Sequence, residues 1–121
     1  MITKTLDDIK GYVLSQLSER SAINYGQVLL LVEKYLDKPI YEVNSEDAEL
    51  LKKNLERYGN IVPGSRTLSE TTRHFYIRVL MSAGKKMQEA LAQESQLQQE
   101  YKKRYGTDYK SPFGILDDKI Q

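Results

Sequence analysis

Two stretches of the chain share the pattern Ser-Glu-x-(Ser/Thr)-x-x-x-Tyr: Ser18-Glu19-Arg20-Ser21-Ala22-Ile23-Asn24-Tyr25 and Ser69-Glu70-Thr71-Thr72-Arg73-His74-Phe75-Tyr76. In each, a serine able to cap a helix precedes an acid that suits the positive end of the helix dipole. An aromatic then begins an apolar stripe. Helix starts of this kind can offer backbone N–H groups, small hydroxyls and a nearby cation to phosphate. Arg20 and Ser21 in the first copy, and Thr72 and Arg73 in the second, are the residues placed to do so. Many ordinary helices begin the same way, so the pattern needs support from the rest of the chain.

That support comes from charge and helical phase. The formal net charge is +1, but residues 1–60 carry eight Lys/Arg against ten Asp/Glu, net −2, while residues 61–121 carry ten against seven, net +3. Between Arg66 and Lys86 five basic residues (Arg66, Arg73, Arg78, Lys85, Lys86) face one acid, Glu70. A local patch of that kind can bind a polyanion; the plain alternative is a solvated basic helix face. At about 100° per residue, His74, Arg78 and Lys85 share one outward stripe of the helix that Ser69 opens, with Arg73 at its edge. On the helix that Ser18 opens, Arg20, Asn24, Gln27 and Lys34 form a second stripe. Arginine, asparagine and glutamine suit bidentate contact with base edges, and lysine suits phosphate.

Other chemistries lack material. There is no cysteine, so thiolate zinc sites are excluded, and one histidine, His74, so a histidine metal cluster or a Ser-His-Asp triad has too little material; no metal and no cofactor is expected, and a small enzyme is the least supported reading. The acid pairs Asp7-Asp8, Glu46-Asp47 and Asp117-Asp118 sit at helix starts or in the tail, where capping and solvation account for them. Gly59 and Gly64 do not form a phosphate loop, because no Gly-Lys-Ser/Thr follows. No apolar run approaches the roughly 20 residues of a membrane span, and the N-terminus lacks the apolar core of a signal peptide. The absence of cysteine suits a cytoplasmic protein.

The elements that must position these residues are helices; no alternating run is long enough for a strand. At 121 residues the chain suits one domain. The first helix is expected from about Thr5 to Leu17, with Leu6, Ile9, Val13 and Leu14 as its apolar stripe. The second runs from Ser18 to Asp37-Lys38-Pro39, with Tyr25, Val28, Leu29, Val32, Tyr35 and Leu36 inward. An extended link, Ile40 to Val43, leads to Asn44-Ser45-Glu46-Asp47 and a third helix burying Ala48, Leu51 and Leu55 and ending at Gly59. After a loop, Gly59 to Leu68, one long last helix is expected from Ser69 to Gly106, with a bend or break at Gly84 and an exposed extension beyond Glu94. Residues 107–121 read as a linker with apolar anchors, able either to pack on this domain or to lead into another one.

Together these features resemble the N-terminal core-binding domain of phage-integrase-type tyrosine recombinases, an all-α, SAM-like bundle of four main helices. Ser18, Ser21 and Tyr25, followed by Leu29, Val32 and Leu36, are similar to the opening of that family's second helix. Val43 to Asp47 with Leu51 and Leu55 resembles the start of its third, and Ser69 and Thr72 with Leu80 and Ala90 its last. Ser111-Pro112-Phe113 is similar to the Asn-Pro-Phe that leads into the family's catalytic domain. Ser21 stands where threonine is commoner, and both the Gly59–Leu68 loop and the Glu94–Gly106 extension are longer than usual. The resemblance implies that residues 1–106 form half of a clamp around double-stranded DNA, with Arg20, Ser21, Asn24, Gln27, Arg66, Thr72, Arg73, His74, Arg78 and Lys85 toward the duplex. It implies also that residues 107–121 lead toward a catalytic domain missing from this chain. The domain alone would be a non-catalytic monomer, and the full-length recombinase a tetramer on DNA. The competing reading is a helical interaction module that self-associates or binds a partner helix through residues 87–105.

Overall fold

The computed structural model describes residues 5–117. The architecture is all-α: five helices, α1 Ile9–Ser15, α2 Glu19–Leu36, α3 Ser45–Tyr58, α4 Glu70–Gln93 and α5 Ser95–Tyr105, with 3-10 turns at Leu6–Asp8, Ile40–Glu42 and Phe113–Leu116. Helix α4 is the spine, packed against α1, α2, α5 and the last 3-10 turn, which also lies on α3.

The two similar octets become two nearly superimposable helix starts. Ser18 (φ −61°, ψ 158°) and Ser69 (φ −62°, ψ 159°) hold the same extended backbone. The Ser18 Oγ accepts from the Ser21 N–H at 3.3 Å, and the Ser69 Oγ from the Thr72 N–H at 3.2 Å. Each bond satisfies one of the amides that a helix start leaves unpaired. Helix α3 begins with a reciprocal pair: Asn44 Oδ1 accepts from the Asp47 N–H (2.9 Å) while Asp47 Oδ2 accepts from the Asn44 N–H (3.1 Å). It ends at Gly59, whose φ of 68° lies in the left-handed region and whose Cα sits against Thr67, so that an added Cβ would lie 2.6 Å from Thr67 Cγ2.

The core is one cluster built from Leu6, Ile9 and Val13, Val28, Leu29 and Val32, Leu51 and Leu55, and the α4 stripe Val79, Leu80, Ala83, Met87, Ala90 and Leu91. The buried amide of Asn54 donates to Tyr35 Oη (3.1 Å) and to the Ile61 carbonyl (2.9 Å), tying α2, α3 and the following loop together. Asn60 Nδ2 donates to the Arg66 carbonyl (2.7 Å), so the Gly59–Leu68 loop is internally braced.

Three expectations change. The first helix divides into a 3-10 turn and a short α1. The link after Pro39 is a 3-10 turn rather than extended, because the Glu42 N–H bonds the Pro39 carbonyl (2.9 Å) and both Ile40 and Tyr41 turn into the core. The last helix does not break at Gly84, which is helical and buried; it breaks at Glu94 (φ −114°, ψ 90°). A 24-residue α4 already spans about 36 Å at 1.5 Å per residue, so a straight continuation would leave the bundle, whereas the turn returns Leu97 to the core. Of the two courses open to the tail, residues 107–117 take the packing one: Tyr109, Phe113 and Leu116 are buried in the core. Gly84 is the place where this tail crosses α4, and an added Cβ there would sit 2.8 Å from Phe113 Cδ2. Residues 118–121 of the expected linker lie outside the described residues.

Candidate nucleic-acid interface

Helices α2 and α4 pack directly against each other, and their outward stripes are as phase requires. Arg20, Asn24, Gln27 and Lys34 are exposed on α2, and His74, Arg78 and Lys85 on α4. None of these seven side chains has a hydrogen bond or ion pair among the described residues. Arg66 is exposed on the braced loop.

The hydroxyls and Arg73 stand differently. Ser21 and Thr72 are half-buried, and Thr72 Oγ1 accepts from Ser69 Oγ at 2.9 Å, so that hydroxyl belongs to the helix cap while keeping its own proton to donate. Arg73 is half-buried, with its guanidinium beside Gly59: Nη1 lies 3.6 Å from where a Gly59 Cβ would be. It therefore sits over the carbonyl end of α3, where a cation is favoured by the helix dipole.

His74 lies between two grooves. One, about 470 Å³, is lined by Thr71, His74, Ile77, Arg78, Met81 and Leu116 with Asp117 at its rim. The other, about 290 Å³, is lined on the α4 side by Glu70, Arg73 and His74 and on the α3 side by Lys52, Leu55 and Glu56. The fold thus brings Thr71, His74 and Arg78 together, and Arg73 with Lys52, on the α3 side of α4. Arg20, Asn24 and Gln27 stand exposed on α2 and line neither groove. The charge of the grooves is mixed, with Glu56, Glu70 and Asp117 facing the cations.

Titration is perturbed away from these stripes. Burial, then a hydrogen bond to Asp7 at 2.7 Å, pushes the Tyr41 phenol up to about 12. Burial also raises Tyr101, Tyr105 and Tyr109, the last with its hydroxyl buried and unpartnered among the described residues. Every one of these shifts favours the neutral phenol, opposite to what a tyrosine nucleophile needs. Among the described residues no group of three or more His, Cys, Asp or Glu is arranged to hold a metal ion, and no helix is long and apolar enough to cross a membrane.

Sequence reasoning missed two members of the α2 ridge. Ile23 is 57 % and Leu30 46 % exposed, the most exposed large apolar side chains of the helix. The signal lies in the phase, since both stand opposite Val28, Leu29 and Val32. Searches against family models, curated proteins and solved structures return no match.

Proposed function

We propose that this chain is a DNA-binding domain of the tyrosine-recombinase core-binding type. It would form half of a clamp on duplex DNA and be non-catalytic by itself. The observation that carries the reading is a pair of outward stripes on α2 and α4, two helices packed against each other, whose arginine, asparagine, glutamine, histidine and lysine side chains are exposed without hydrogen bonds or ion pairs among the described residues. Unpaired side chains of these types suit phosphate and base edges. The full-length recombinase would supply the catalytic residues and assemble as a tetramer, the isolated domain remaining a monomer.

The competing interaction-module reading is weaker on the segment that motivated it. Within residues 87–105 the apolar side chains Met87, Ala90, Leu91 and Leu97 are spent on the chain's own core. The side chains left outward there are mainly polar, Gln88, Gln96, Gln99, Lys102 and Lys103 among them, with Tyr105 the large apolar group still exposed.

Titration of a fluorescent duplex tests the proposal. Binding at low salt that weakens steeply toward physiological salt, and weakens further with Arg78→Glu, is expected. Absence of binding at low salt, or indifference to Arg78→Glu, would reject it.

A further inference from the structure

Ile23 is an anomaly on the α2 ridge, a β-branched apolar side chain 57 % exposed among groups that want water or a polar partner. At about 100° per residue, Arg20, Ile23, Gln27, Leu30 and Lys34 fall within about 80° of arc. An occupant of this face must satisfy a guanidinium, an amide and an ammonium while covering a branched hydrocarbon. A second copy of the chain does this badly. Antiparallel pairing of two α2 helices about Gln27 sets Arg20, seven residues before it, against Lys34, seven after it, and parallel pairing sets each cation against itself. The major groove of DNA does it well. Its base edges offer acceptors to arginine and glutamine, its rims offer phosphate to lysine, and its one apolar group is the 5-methyl of thymine.

We propose that Ile23 is a specificity residue that packs on thymine 5-methyl groups in the major groove, with Arg20 and Gln27 on the flanking base edges. The assignment rests on the DNA-binding reading above and goes beyond it by naming the base and the group that is read. Its side chain is pre-set for such a contact, because branching at Cβ leaves few rotamers to freeze on binding.

The test uses duplexes of about 30 base pairs enriched by binding from a random pool, then resynthesised with uracil for thymine, which removes only the methyl. Uracil is expected to weaken the wild-type protein about fourfold per contacted methyl, the worth of one buried CH₂. Ile23→Ala should bind both duplexes alike, at the wild-type protein's affinity for the uracil form. Because Ile23 is exposed, the variant should keep the wild-type circular dichroism and melting temperature; Ile23→Val, which keeps the branch, should retain thymine preference. Equal wild-type affinity for both duplexes, with salt-dependent binding intact, overturns the role of Ile23 and leaves the DNA reading standing. Binding at low salt that enriches no duplex likewise overturns the role of Ile23 alone; absence of binding at low salt overturns both, as would a concentration-dependent dimer in sedimentation that Ile23→Ala abolishes and DNA does not affect.

Discussion

The ring of Phe113 lies against the Cα of Gly84, close enough that a methyl group there would sit 2.8 Å from Cδ2. Gly84 occupies the interior of a helix, where alanine would ordinarily stabilise by about 1 kcal/mol. Here the contact outweighs propensity. Gly84→Ala should destabilise the domain by about 1–3 kcal/mol, the usual cost of overpacking, read as a lower urea midpoint.

Tyr109 gives a prediction of opposite sign. Its hydroxyl is buried without a partner among the described residues, while its ring packs edge-on to Tyr101 at 5.3 Å between centroids. Tyr109→Phe keeps the ring and removes the unsatisfied group, so stability should rise by about 1 kcal/mol. A loss of stability in thermal melts would show that the hydroxyl is satisfied after all.

The two arginines of α4's first turns should separate in assay. Arg73 rests over the end of α3, so Arg73→Ala should cost about 0.3–1 kcal/mol of stability. Arg78 is exposed and unpaired among the described residues, so Arg78→Ala should change stability by less than about 0.5 kcal/mol and, on the proposed function, act on DNA affinity instead. Parallel denaturation and duplex titrations of the two variants check the division.

Alkaline pH should loosen the fold through Tyr41. Its phenol is pushed up to about 12 from an ordinary 10.0, so the folded chain holds that proton more tightly than the unfolded chain does. The associated stability is complete below pH 10 and is lost as pH rises toward about 12. In Tyr41→Phe the stability-against-pH curve should be flatter in that window, although the variant starts lower because it lacks the 2.7 Å bond to Asp7.

How far the fold could be read in advance depended on whether the controlling contacts were local. The caps at Ser18, Asn44 and Ser69, the stop at Gly59 and the stripes of α2, α3 and α4 involve neighbours within a turn, and these were legible. Gly84 was misread because its reason lies 29 residues away in Phe113. The break at Glu94 was likewise invisible, since it reflects the size of the bundle rather than any breaker. On α2 and α4, phase placed the polar stripes on the exposed faces, but nothing local could show Arg73 turning toward α3.

The tail that crosses Gly84 also sets a schedule for biosynthesis. Phe113 and Leu116 complete the core, and Arg104 reaches back to the Tyr41 hydroxyl (3.5 Å), which in turn holds Asp7. A nascent chain cannot close this bundle until its last dozen described residues have cleared the ribosome. Stalled chains ending near Gly106 should accordingly be cut readily by protease, and chains extended well past Asp117 should resist.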